Sequence, residues 1–145
     1  MIGSAAILRA ISTRWDAMNM DTVFTGSIHL GTAPRTTQMP YCVLNVAAEA
    51  IQFRTSSGDY KKTEYSAMLL DFTVWHNRGL LNCQAAADEI RNKFDNHDLV
   101  LQTDEGSVLR FRWVSSFPLQ HPDNTSVWAY TLSYELLRQR TEVVN

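Results

Sequence analysis

The chain has 145 residues, 45% of them hydrophobic, enough for one domain with a core of its own. Thirteen basic and fifteen acidic residues give a formal net charge of −2, which argues against the broad basic surface of a sequence-independent nucleic-acid binder. Charged residues make up only 19% of the chain. No apolar run approaches the ~20 residues a membrane span needs, and the N-terminus lacks the pattern of a secretory signal. Synthesis in a reducing cytoplasm is the expectation.

In chain order, Ser4 is placed to cap a first helix whose Leu8, Ile11, Trp15 and Met18 recur at spacings of 3, 4 and 3. The helix should stop near Met18–Met20. Thr25–Leu30 reads as a short strand and Gly31–Pro40, with two prolines and no apolar period, as a loop. Tyr41–Ala50 reads as a strand entered at Pro40. Ile51–Glu64 contains the turn signal Ser56-Ser57-Gly58-Asp59 and admits two readings, a long projecting hairpin arm or a plain loop.

Tyr65–Phe94 is the clearest stretch. Met68, Leu70, Phe72 and Val74 alternate with Ala67, Leu69, Asp71, Thr73 and Trp75, the period of a strand with one apolar face. After Asn77-Arg78-Gly79 the period changes: Leu80, Cys83, Ala87, Ile90 and Phe94 form one helical stripe. Leu99–Thr103 and Ser107–Ser116 flank Asp104-Glu105-Gly106 as a predicted hairpin, with Gly106 supplying a positive φ. Leu109, Phe111 and Trp113 are assigned to its core face and Arg110 and Arg112 to its wet face. Phe117–Thr125 reads as a loop. Ser126–Arg138 alternates Trp128, Tyr130, Leu132, Tyr134 and Leu136 with smaller or polar residues, and Gln139–Asn145 reads as a frayed tail. Together these predict a single α+β domain over 1–145, with a largely antiparallel sheet of five to six strands and two helices packed on one face.

Chemistry is sparse in this pattern. His29, His76, His97 and His121 stand in no metal-ligand spacing. Cys42 and Cys83 fall on apolar runs and read as buried thiols. No glycine-rich phosphate loop or nucleophile elbow is present. Asp71 is the oddity, an acid on the central strand that reads as facing solvent or pairing with a basic neighbour such as Arg110 or Arg112, and less readily as a desolvated general base. An enzymatic or ligand-binding reading would place a site near Asp71, Trp75 and His76. The aromatics Trp113, Trp128, Tyr130 and Tyr134 share faces with leucines and read as core rather than as a base-stacking platform. No cofactor is expected. The dense charge cluster Arg54, Asp59, Lys61, Lys62 and Glu64, with Tyr60 among it, suits an arm that registers a neighbouring subunit; Arg35 in the proline-rich loop is the other candidate contact.

Pro40-Tyr41-Cys42-Val43 entering a strand, Val74-Trp75-His76 ending one, a short Arg/Gly turn, the Ala- and Ile-rich helix Gly79–Phe94, and a last strand of alternating aromatics occur here in an order that resembles the tail-terminator (tail-completion, minor-tail-U-like) proteins of long-tailed bacteriophages. The resemblance spans about Ala5 to Arg138. It implies a non-enzymatic virion protein of a phage or prophage, made in the host cytoplasm. Such a protein forms a homo-oligomeric, commonly hexameric ring on the tail tube and offers a surface to the head-tail connector. Loops 31–40 and 51–64 would supply its contacts, and DNA would pass the lumen without sequence-specific binding. A neck or head-tail connector protein is the alternative within the same class.

Overall fold

A computed structural model describes residues 5–57, 61–95, 99, 101 and 106–143. Within these, the side chains of 51–57, 61, 62 and 141–143 lie outside the description, as does the predicted cap Ser4.

The first helix, α1, is Ala5–Ala17, and it buries Ala6, Ile7, Ile11 and Trp15. Its inward stripe is thus turned slightly from the predicted one, with Leu8 and Met18 half-buried at the margin. Asn19, at φ 57°, takes the left-handed conformation that ends many helices, and a 3-10 turn follows at Met20–Thr22. The short strand is only β1, His29–Leu30, and it pairs in parallel with the next strand. The 31–40 segment is a loop, as the prolines require.

Three long strands dominate. β2 is Tyr41–Ser57, β3 is Lys61–His76, and β5 is Trp128–Val143. β4 is Ser107–Gln120, and α2, Leu80–Phe94, joins β3 to it. The sheet order is β1-β2-β3-β5-β4, and every pairing except β1 with β2 is antiparallel. The arm reading of 51–64 holds. Pairing of β2 with β3 continues from Tyr41↔Trp75 to Ser57↔Lys61, interrupted by irregularities at Val46/Ala48 and Ile51/Phe53.

Three predicted elements are corrected. Leu99 and Leu101 lie in no strand, and β4 pairs with β5 instead; Leu99 is drawn into the core as a buried plug. Phe117–Gln120 belongs to β4 rather than to a loop, with Pro118 opposite Tyr130, where the missing N–H is tolerated because β4 is an edge strand. The tail is not frayed as far as Val143: Gln139–Val143 pairs with Lys61–Tyr65. A polar strand end gives no hydrophobic period, so its pairing was invisible in the sequence. Leu109 is also misplaced by the pattern. A register shift between Val108 and Arg110 puts it outside the core at 48% exposure, and Val108 packs inward instead.

The core forms between one sheet face and the helices. Met68, Leu70, Phe72 and Val74 of β3 and Leu132, Tyr134 and Leu136 of β5 meet Ile7, Ile11 and Trp15 of α1 and Cys83, Ala87, Ile90 and Phe94 of α2. Phe72 lies edge-on to Tyr134 at 5.3 Å, and Phe111 stacks on Tyr134 at 4.8 Å. Such ring pairs contribute about 0.5–1.5 kcal/mol each beyond the area they bury. The Tyr134 hydroxyl donates to Asp95 Oδ1 at 2.8 Å, while Arg91 donates to Asp95 Oδ2 at 3.2 Å and lies 4.1 Å from the Trp113 ring centre. Asp95 thus ties the end of α2 to β5, and Arg91 ties it to β4.

Candidate assembly surfaces: the hairpin arm and the open sheet face

Both helices lie on one side of the sheet, so among the described residues the other face has no layer over it. Strand alternation and the observed register fix what it displays. Across the middle run Asn45, Asp71, Ser133 and Ser115 as register neighbours, and beyond them Val43, Thr73, Thr131 and Phe117, then Tyr41, Trp75, Ala129 and Leu119. Phe117 and Leu119 on β4 are 53% and 62% exposed. Toward the arm, Ala48, Ala50, Ala67, Leu69 and Leu137 floor a concavity of about 530 Å³, rimmed by Arg110 and Glu135.

The polar groups on this face largely satisfy one another. Ser133 donates to Asp71 Oδ1 at 2.7 Å, and the hydroxyls of Thr73 and Thr131 lie 3.3 Å apart. Of the two ordinary readings of Asp71, pairing with Arg110 or Arg112 is not the one realised. Those arginines converge on Glu135 instead, Arg110 on Oε1 and Arg112 on Oε2 at 3.2 Å. Burial pushes the Glu135 carboxyl up, but its hydrogen bonds and charge interactions with the two guanidiniums outweigh this and hold it below the usual range. Two cations thus share one carboxylate at the β4 side of the hollow, while a second acid, Glu49, lines it from β2. This cluster was not singled out from sequence. The alternation of Arg110 and Arg112 was visible, but the acid opposite them depends on the β4–β5 register, which the bulges shift.

The predicted contact residues divide. Arg54, Lys61, Lys62 and Glu64 lie on the arm, with backbone pairings Arg54↔Glu64, Ser56↔Lys62 and Ser57↔Lys61. Asp59 and Tyr60 lie outside the described residues. Arg35 is exposed in the 31–40 loop, at the far end of β2 from the arm. Sixteen residue steps separate the two ends of β2, about 50 Å at ~3.3 Å per step. The two predicted contact regions are therefore opposite ends of one subunit rather than one patch.

The residues named for a catalytic or ligand site do not converge. Asp71 and Trp75 point to the open face, four residues and about 13 Å apart along β3. His76 is buried, and its Nδ1 accepts the Arg78 backbone N–H at 3.1 Å. Cys42 and Cys83 are free and buried, and burial raises the Cys83 thiol to about 11. Among the described residues no His, Cys, Asp or Glu group is placed to hold a metal, and no helix is long and apolar enough to cross a membrane.

The geometry defines a two-layer α+β domain with an uncovered sheet face and a long arm. No protein-family model matches the sequence, and no curated protein matches it. Among solved structures the fold is similar to a chain of the virion of a native gene transfer agent particle, with a TM-score of 0.72 over 94% of this chain and 96% of that one. Identity between the two is 13%, so the likeness is one of fold.

Proposed function

We propose that this chain is a structural protein of a phage-like virion, and within it the tail terminator: a ring subunit that caps the tail tube and meets the head connector. The observation that carries the reading is the end-to-end likeness of its fold to a chain of a gene transfer agent virion. The order of elements from Ala5 to Arg138 points to the same class independently of that likeness. A ring of six is the expected size, in which the arm at one end of β2 and the 31–40 loop at the other reach neighbouring molecules. The near-neutral charge, −2 per chain, suits a lumen through which DNA slides, since strongly cationic walls would hold phosphate. In this reading the protein performs no catalysis, and Asp71, Trp75 and His76 serve the fold.

The test is removal of the gene from a strain that produces the particles. Electron micrographs should show heads separate from tails, with tail tubes of uncontrolled length. Tails of normal length that merely fail to join heads would move the protein to the neck or connector. Intact, infectious particles would overturn the virion assignment.

A further inference from the structure

The helix layer carries an uncommitted surface of its own. Opposite the buried stripe of α2, the residues Leu81, Ala85, Asp88 and Asn92 recur at spacings of 4, 3 and 4 and are all exposed. Leu81 is 81% exposed, the most exposed large apolar side chain among the described residues. Other charges on this helix are engaged within it: Glu89 with Lys93, and Arg91 with Asp95. Asp88 therefore gives the stripe a net negative charge close to an apolar knob. The open sheet face carries the complement, a largely apolar hollow with Glu49 at its β2 side and, at its β4 side, Arg110 and Arg112 with one carboxylate between them.

The dimensions agree. Leu81 and Asp88 are seven residues apart, about 10.5 Å along a helix at 1.5 Å per residue. The floor residues Ala67 and Leu69 lie on β3, and the arginines lie on β4 two strands away, with β5 between. Two strand spacings amount to about 9.5 Å. A helix laid across the strands thus sets its leucine over the hollow and its aspartate over the arginines together.

We propose that α2 of one copy docks across the open sheet face of the next, with Leu81 seated over Ala67 and Leu69 and Asp88 facing Arg110 and Arg112. This rests on the ring reading and names its contact surfaces. Donor and acceptor are different surfaces on opposite sides of one subunit, so the contact is heterologous and repeats head to tail until the ring closes. It also gives the sheet the second cover it lacks, turning two layers into three at every subunit boundary.

Cross-linking tests the geometry. A chain carrying both Leu81→Cys and Ala67→Cys cannot bridge internally, because the two positions lie on opposite sides of the sheet, beyond the ~7 Å Cα separation a disulfide spans. Oxidation with copper phenanthroline should give a ladder of covalent oligomers on a non-reducing gel, with no ladder from either single variant. The native Cys42 and Cys83 are buried and should not contribute. Charge reversal tests the chemistry. Asp88→Arg and Arg112→Asp should each raise the concentration needed for assembly at least tenfold, and the two together should restore it. Rings that form with the unchanged chain and equally with Asp88→Arg, with no ladder from the double cysteine chain, would overturn these surfaces while leaving the ring itself intact. A chain that neither assembles nor cross-links, in solution or in the presence of tail tubes, would overturn both.

Discussion

His76 shows how a residue that looks like chemistry serves the fold. Burial lowers its pKa first, and the nearby charge of Arg78 lowers it further. Because Nδ1 accepts the Arg78 N–H, the neutral ring fits the site and the imidazolium, a donor at both nitrogens, does not. A base whose folded pKa lies below its unfolded value of about 6.5 contributes stability that is present above that value and is lost as pH falls through the window beneath it. The midpoint of urea unfolding should therefore fall as pH drops from about 6.5 toward 5. His76→Asn keeps an acceptor near the same position and cannot titrate there, so it should flatten that slope; an unchanged slope would place the effect elsewhere. Asp71 makes a related point. Its side chain is half-buried and accepts from Ser133, a partner 62 residues away in sequence that no local pattern suggests.

At the scale of elements, the residues that meet the core were legible and those that do not were obscure. Met68 to Val74 on β3, Leu132 to Leu136 on β5, and Cys83, Ala87, Ile90 and Phe94 on α2 occupy the faces their period assigned, because burial imposes the period. Strand length beyond the core left no such mark. The outer parts of β2, β3 and β5 are held by backbone pairing between polar segments, which composition alone does not distinguish from loop. The bulges near Leu109 and Val114 defeated the alternation of β4 for the same local reason. The arm can be tested as an element. Replacing residues 52–65 by Asn-Gly closes the hairpin on the observed pair Ile51↔Ser66 with the turn such a two-residue loop favours. The deeply packed residues of β3 begin at Met68, so the fold should survive, with stability changed by no more than about 2 kcal/mol as the shorter connection offsets lost pairing. Circular dichroism would check the fold, and mass photometry should show that assembly is lost. Rings formed by the armless chain would remove the arm from the interface.

For the molecule as a whole, what the sequence holds least of is a site in the enzymatic sense. The candidate contacts are distributed: an arm at one end of β2, a loop at the other, an uncovered sheet face, and an uncommitted helix stripe on the opposite side. Copies of the chain packed on one another, as in the proposed ring, would cover these surfaces together. The direct measurement is the mass and shape of the purified full chain, alone and with tail tubes, by mass photometry and negative-stain electron microscopy. Closed rings with a central hole, of a single subunit number, are expected, either free in solution or seated at tube ends. A chain that remains monomeric in solution and leaves the ends of tail tubes bare would contradict the proposed ring.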